Sequence, residues 1–529
     1  MARTPAFRRL LQSLDLAASS LDQGRGTAET CEAAAQLSRG RRRMLGGLCA
    51  GALTAALPAS RAFAIPKVDS RLRVAVVGAG LAGLSCADQL ARSGIRATLF
   101  EAADRVGGRC WSLRNFFPGQ VAERGGEFID TAHKAMLAYA GEFGLELEDV
   151  NKNPGEVFYF FDGVRHHEAD VVEEFRDLVA RMRIDLRRVS DPTANDFSPD
   201  EEALDYLNLR EYLETRDAGP LAFKAIEQAY VAEYGLEIEE QSCLGFLQFI
   251  HADRRSKFTP FGPFSDERYH VVGGNDLIAQ GLGLRLASQI RTGRRLLAIS
   301  KTATGEFELT FEDLTHRCDA VVLTLPFSVL RTLYLDPSLE LPVQKQFAIE
   351  NLRYGTNAKM MLGFDARPWV TLGGNGASYS DLTNHQTTWE TNPARATTSR
   401  GVITDYSGGR RGAEIGLSSL AAQATAFVTD LDQVFPGSLA AASQVDGSLR
   451  AHLEHWPSNP LSLGSYTANA PGYFTTIADV EAAPAGRLYF AGEHTSSFYE
   501  WQGFMEGAVL SGHRAAAELL RDARLRKMA

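Results

Sequence analysis

A short apolar strand runs directly into Gly-x-Gly-x-x-Gly, a helix follows, and an acidic residue stands 18 positions beyond the last glycine. These features predict an α/β fold built on a Rossmann-type dinucleotide-binding domain. Residues 150–268 lack nucleotide motifs and are richer in charge and helical periodicity, which predicts a second, mixed α+β domain for a substrate. Length and composition agree with both. A chain of 529 residues holds two to four domains, and 45% hydrophobic with 23% charged residues is the balance of a globular protein.

The first 64 residues differ in kind. Residues 38–45 (SRGRRRML) are basic, residues 45–57 (LGGLCAGALTAAL) are apolar, and Ala62-Phe63-Ala64 is a small-x-small cleavage site. That order is an export signal, too short to span a bilayer permanently. Paired arginines before a Gly-rich core resemble a twin-arginine signal, the route of proteins exported already folded, and imply a periplasmic destination. A basic linker before an N-terminal membrane anchor is the rival reading. The long leader at 1–37 has no account.

Cleavage removes nine of the 55 basic and four of the 65 acidic residues, leaving a formal charge of −15. This argues against nucleic acid and favours cationic substrates. The remaining cysteines, Cys86, Cys110, Cys243 and Cys318, show no paired spacing and no histidine in a metal-ligand pattern. Neither a disulfide framework nor a metal site is predicted. No further segment is apolar for long enough to span a membrane.

Each part of the nucleotide motif has a physical task. Residues 74–77 (VAVV) form the strand; Leu84, Ala87, Leu90 and Ala91 recur at helical spacing until Gly94. Gly78 permits the tight turn, Gly80 lets backbone approach a pyrophosphate, and Gly83 lets helix and strand pack closely. The helix N-terminus, at Ala82, faces the phosphates, and Glu101 accepts the ribose hydroxyls. Beyond it, Arg109 follows Gly107-Gly108, a turn that can bring its guanidinium against the pyrophosphate. A second glycine pair, Gly125-Gly126, precedes Glu127 and Phe128.

Near the C-terminus, residues 488–491 (LYFA) read as a strand that ends on Gly492-Glu493. Several aromatics follow, and then Gly503-Phe504-Met505-Glu506-Gly507 opens a helix of good helix formers. Together, GxGxxG, Glu101, "GGR", the second Gly-Gly and "GEHTSS…WQGFMEGAV" resemble the flavin-dependent amine oxidase family. That family includes monoamine, polyamine and L-amino acid oxidases, and the resemblance covers residues 70–523.

The resemblance implies FAD, not NAD, and an FAD-binding domain over 70–147, 270–348 and 459–523. The substrate-binding domain, 148–269 and 349–458, then interrupts it. It also implies that Leu296 offers its backbone to the adenine, that Glu493 binds the ribityl or pyrophosphate region, and that Trp501 and Gln502 pack beside the isoalloxazine. Lys359 falls on the lysine that holds a water near flavin N5. Tyr466 and Phe504 match two aromatic walls, which exclude water and favour an approaching amine. Monoamine oxidases carry covalent flavin on a cysteine before the first wall; Ser465 stands there, so non-covalent FAD is expected. Met505 starts a helix whose N–H groups point at the flavin edge where negative charge develops.

The implied reaction takes an amine and O2 to an imine or aldehyde and hydrogen peroxide. L-Amino acid oxidases usually place an arginine after the second glycine motif, whereas this chain reads "GGEFIDTAHK", with Glu127 and Asp130. Those acids, with Glu500, suit a substrate carrying a second positive charge. An amine or polyamine oxidase is therefore expected. The alternatives are an L-amino acid oxidase, such as one for basic amino acids, and a flavin amine dehydrogenase serving another electron acceptor. A homodimer is left open.

Overall fold

Residues 74–77 are apolar at every position, the composition of a strand covered on both faces. A computed structural model of the chain describes residues 72–150, 155–251, 266–392 and 399–528. In it, Val74–Val77 is the central strand of a five-stranded parallel sheet. Ala320–Leu323 and Thr98–Phe100 flank it, while Leu488–Phe490 and Ile290–Arg291 form the edges. Three separate stretches of chain thus supply one sheet. The export signal expected over 1–64 lies outside the described residues. Among the described residues no helix is long and apolar enough to cross a membrane.

Helix Leu81–Arg92, behind the glycine motif, packs against Met505–Met528, the closing helix of the chain. Gly512 permits this approach, because a Cβ there would lie 2.3 Å from Ala82 O. Ser85 Oγ then donates to Val509 O at 3.1 Å, fixing the two helices in register. A hairpin pairs Phe307–Phe311 with Thr315–Cys318, and the strand carrying Leu296 pairs with it. Cys86, Cys110, Cys243 and Cys318 are buried free thiols.

The second sheet has seven strands. Their order is Ala451–His455, Ala358–Phe364, Gly401–Ser407, Thr387–Glu390, Gly374–Ser380, Glu156–Phe161 and Val164–His166. Ala358–Phe364 is buried along its whole length. Because side chains alternate across a strand, Met360, Leu362 and Phe364 enter an apolar core closed by helix Leu420–Val434. Lys359 and Met361 take the opposite face. Lys359 stands opposite Tyr406, and Trp389 opposite Thr404, so register places Lys359, Trp389 and Tyr406 on that one face.

Leu431, on the covering helix, is fully buried in this core and far from the face that carries Lys359. Leu431→Ala should lower unfolding free energy by about 2–5 kcal/mol, measured by denaturant unfolding.

Candidate active site

A cavity of ≈ 260 Å³ begins at the C-terminal ends of the parallel strands, where doubly wound sheets bind ligands. It continues to the face of the seven-stranded sheet that carries Lys359.

At its nucleotide end the three glycines differ as their predicted tasks require. Gly78 has φ +105°, and a Cβ there would lie 2.4 Å from Thr324 Oγ1. A Cβ at Gly83 would lie 1.9 Å from Gly78 O, so this glycine serves helix–strand packing and does not line the cavity. A Cβ at Gly80 would meet nothing within 4 Å, which is the clearance a pyrophosphate needs. Ala82 and Leu296 line the same end. Glu101 is buried and accepts from Ala79 N at 2.7 Å and Ala103 N at 2.8 Å. Burial raises its pKa, and those N–H groups oppose the shift.

Arg109 is held in place by the far end of the chain. Its Nη1 donates to Ser465 O at 2.7 Å and pairs with Glu493 Oε1 at 2.9 Å, while Glu493 Oε2 accepts from Thr467 Oγ1 at 3.0 Å. Gly125 must be glycine, since a Cβ would lie 1.7 Å from Arg109 O, and one at Gly126 would lie 2.8 Å from the Met505 sulfur. Gly492, Glu493 and Met505 line the cavity with them. Open glycine backbone, a helix N-terminus, a buried acid and an anchored arginine together fit a dinucleotide such as FAD.

The other end is an aromatic box around a buried ion pair. Lys359 Nζ donates to Glu127 Oε2 at 2.7 Å, to Gly125 O at 2.8 Å and to Glu123 O at 3.1 Å. Glu127 Oε1 accepts from Trp389 Nε1 at 2.9 Å. Phe128, Trp389, Tyr406, Tyr466 and Phe504 line the cavity here. Tyr406 donates to Tyr466 Oη at 2.9 Å, and Tyr466 donates to Glu233 O.

Two expectations change. Glu127 is not a free charge for a substrate's distal ammonium, because both of its oxygens are engaged by Lys359 and Trp389. Trp501 does not line the cavity. The chain turns back at Phe504 N–H to Trp501 O, with Gly503 at φ +84°, so Gly503, Phe504 and Met505 face the cavity. Trp501 packs instead on His133, ring centroids 4.5 Å apart, and Gln502 donates to Tyr473 Oη at 2.7 Å. Glu506 accepts from Ala135 and Met136 N–H, capping helix Lys134–Glu142.

Sequence reasoning missed Trp389, Tyr406 and Trp456 on the cavity wall. Trp389 and Tyr406 sit in ordinary strand patterns, and only their pairing register with Lys359 reveals them.

Removing the ammonium by Lys359→Met leaves the Glu127 carboxylate buried without its cation, a loss of about 3–5 kcal/mol. Denaturant unfolding should show this, and the double variant Lys359→Met with Glu127→Gln should recover most of it; additive losses would contradict the pairing. A second test concerns Glu123, whose carboxyl burial pushes up to about 8 over the opposing hydrogen bonds from Asn275 and Ser112. Its contribution to stability is complete below about pH 4.5 and is lost as pH rises through about 8. Glu123→Gln should flatten the decline of melting temperature across that window.

The model of the flavin containing amine oxidoreductases matches residues 81–520 of this chain. An L-amino-acid oxidase of Pseudechis australis is 25% identical over 477 residues, spanning 86% of this chain and 88% of its own. A flavin-containing amine oxidase of Danio rerio is 24% identical over 474 residues, spanning 84% and 85%. Among solved structures, cyclohexylamine oxidase from Brevibacterium oxydans IH-35A superposes with TM-score 0.73 at 20% identity, over 86% of this chain and 99% of that one. A putrescine oxidase bound to putrescine superposes with TM-score 0.72 at 18% identity, over 85% and 99%. With the family pattern extending over most of its length, this chain belongs to the flavin containing amine oxidoreductases.

Proposed function

We propose that the chain is an FAD-dependent oxidase that converts an amine, O2 and water to an aldehyde, ammonia and hydrogen peroxide. The observation that carries this reading is one cavity joining a dinucleotide cradle to an aromatic box. FAD, when bound, supplies the acceptor for the two electrons and the α-hydrogen of the amine. Gly78, Gly80, Ala82, Glu101, Arg109, Leu296 and Glu493 would hold it. The aromatic faces exclude water and stabilise an approaching amine. The helix from Met505 brings its N-terminal N–H groups to the cavity and favours negative charge there. Lys359 adds a fixed positive charge that Glu127 holds in place.

FAD is held without a covalent bond in this reading. Ser465 has no sulfur to form a thioether, and its hydroxyl donates to Asn357 Oδ1 at 2.6 Å. Export to the periplasm is supported by the basic, apolar and small-residue order of residues 38–64. A second reading, an L-amino acid oxidase, is favoured by the names of curated relatives such as that of Pseudechis australis.

Anaerobic mixing with monoamines, diamines and amino acids should bleach the flavin with at least one amine, and admitting air should yield peroxide. Bleaching without peroxide would replace the oxidase with a dehydrogenase. Acid precipitation should release yellow FAD into the supernatant; flavin that stays with the precipitate would refute non-covalent binding.

A further inference from the structure

Resting on the FAD site proposed above, we infer that Asn275 is a positioning residue. It holds segment 123–127, on which the Lys359 ammonium is fixed, and acts on the bound flavin through that ammonium. Lys359 donates to Glu123 O, Gly125 O and Glu127 Oε2, so its three donors all end on this one segment. Whatever holds the segment therefore sets where the positive charge stands on the cavity wall.

The backbone groups of the segment go to different partners. Arg124 N–H donates to Trp111 O at 2.9 Å, and Gly126 N–H to Arg109 O at 3.1 Å. The carbonyls of Glu123 and Gly125 go to Lys359. Those of Gly126 and Glu127 accept from Asn275 Nδ2 at 3.1 and 2.7 Å. Asn275 N also donates to Glu123 Oε1 at 2.8 Å, while Glu123 Oε2 accepts from Ser112 Oγ at 2.8 Å. One residue thus grips both ends of the segment.

Asn275 gives up its usual task to do so. It stands immediately before helix Asp276–Arg285, where an asparagine side chain normally accepts from an N–H of the first turn. No such bond forms here. Its Oδ1 accepts instead from Val271 N at 2.8 Å, which fixes the orientation of the amide and turns Nδ2 toward the segment. The turn before it is pressed close: Gly274 has φ +113°, and a Cβ there would lie 2.5 Å from Ser112 Oγ. Asn275 is fully buried and does not line the cavity, so it acts on a ligand only through the residues it holds.

The midpoint potential of the bound flavin, taken by chemical reduction against a reference dye, tests this. Asn275→Ser removes both donors and keeps a residue suited to a helix start. It should lower the two-electron reduction equilibrium by at least about tenfold, the scale of one charged hydrogen bond and about 30 mV. In the paired background Lys359→Met with Glu127→Gln there is no ammonium to place. The same substitution should move the equilibrium there by less than about twofold.

An unchanged or raised potential in N275S with FAD retained overturns the inference, and so does an equal fall in the background without Lys359. Asn275→Asp keeps Oδ1 but lacks the donors; it should repeat the fall, and it decides where the serine variant does not fold. If neither variant holds FAD while the paired background does, Asn275 serves the fold or cofactor retention, and the inference is overturned. Chemical reduction needs no substrate, so flavin bleached by no amine overturns the oxidase reading alone, whereas the potentials overturn this inference alone.

Discussion

The ion pair between Lys359 and Glu127 joins two otherwise separate constructions. Lys359 belongs to the seven-stranded sheet, whereas Glu123 ends the short strand Ala122–Glu123 and Gly125 and Glu127 lie on the glycine-rich segment just after it. The two side chains are almost wholly buried, at 6% and 3% exposure. A pair desolvated to this degree needs near-complete satisfaction of its donors and acceptors, and three acceptors around one ammonium supply it. The position of the sheet over the cavity therefore depends on this contact, and so does the orientation of Trp389.

The nucleotide half was legible because its constraints are local. A tight turn, a close backbone approach and a helix start each demand glycine or a free N–H at a fixed offset, and Gly78, Gly80 and Gly83 occupy those offsets. Arg109 and Glu493 were each readable from their motifs. Their mutual contact was not, because it spans a separation of 384 residues.

The substrate half was legible in outline alone. Lys359 and Tyr466 came from resemblance to a family, and Trp389 and Tyr406 came from neither composition nor periodicity. A tryptophan on a buried strand looks alike whether it faces core or cavity, and the difference lies in which strands pair and in what register. Glu127 shows the converse. Its place after Gly125-Gly126 was conspicuous, yet its role depended on a lysine 232 positions away. Trp501 was read from its motif as a flavin neighbour, but the turn at Gly503 sends it to the far side of Phe504.

The pairing of the closing helix with helix Leu81–Arg92, through Gly512 and Ser85, has a consequence for the order of synthesis. The ribosome makes strand Val74–Val77 of the parallel sheet long before the edge strand Leu488–Phe490. The residues that anchor Arg109 are made equally late: Ser465 and Glu493. The cradle is thus incomplete until helix Met505–Met528 docks on helix Leu81–Arg92.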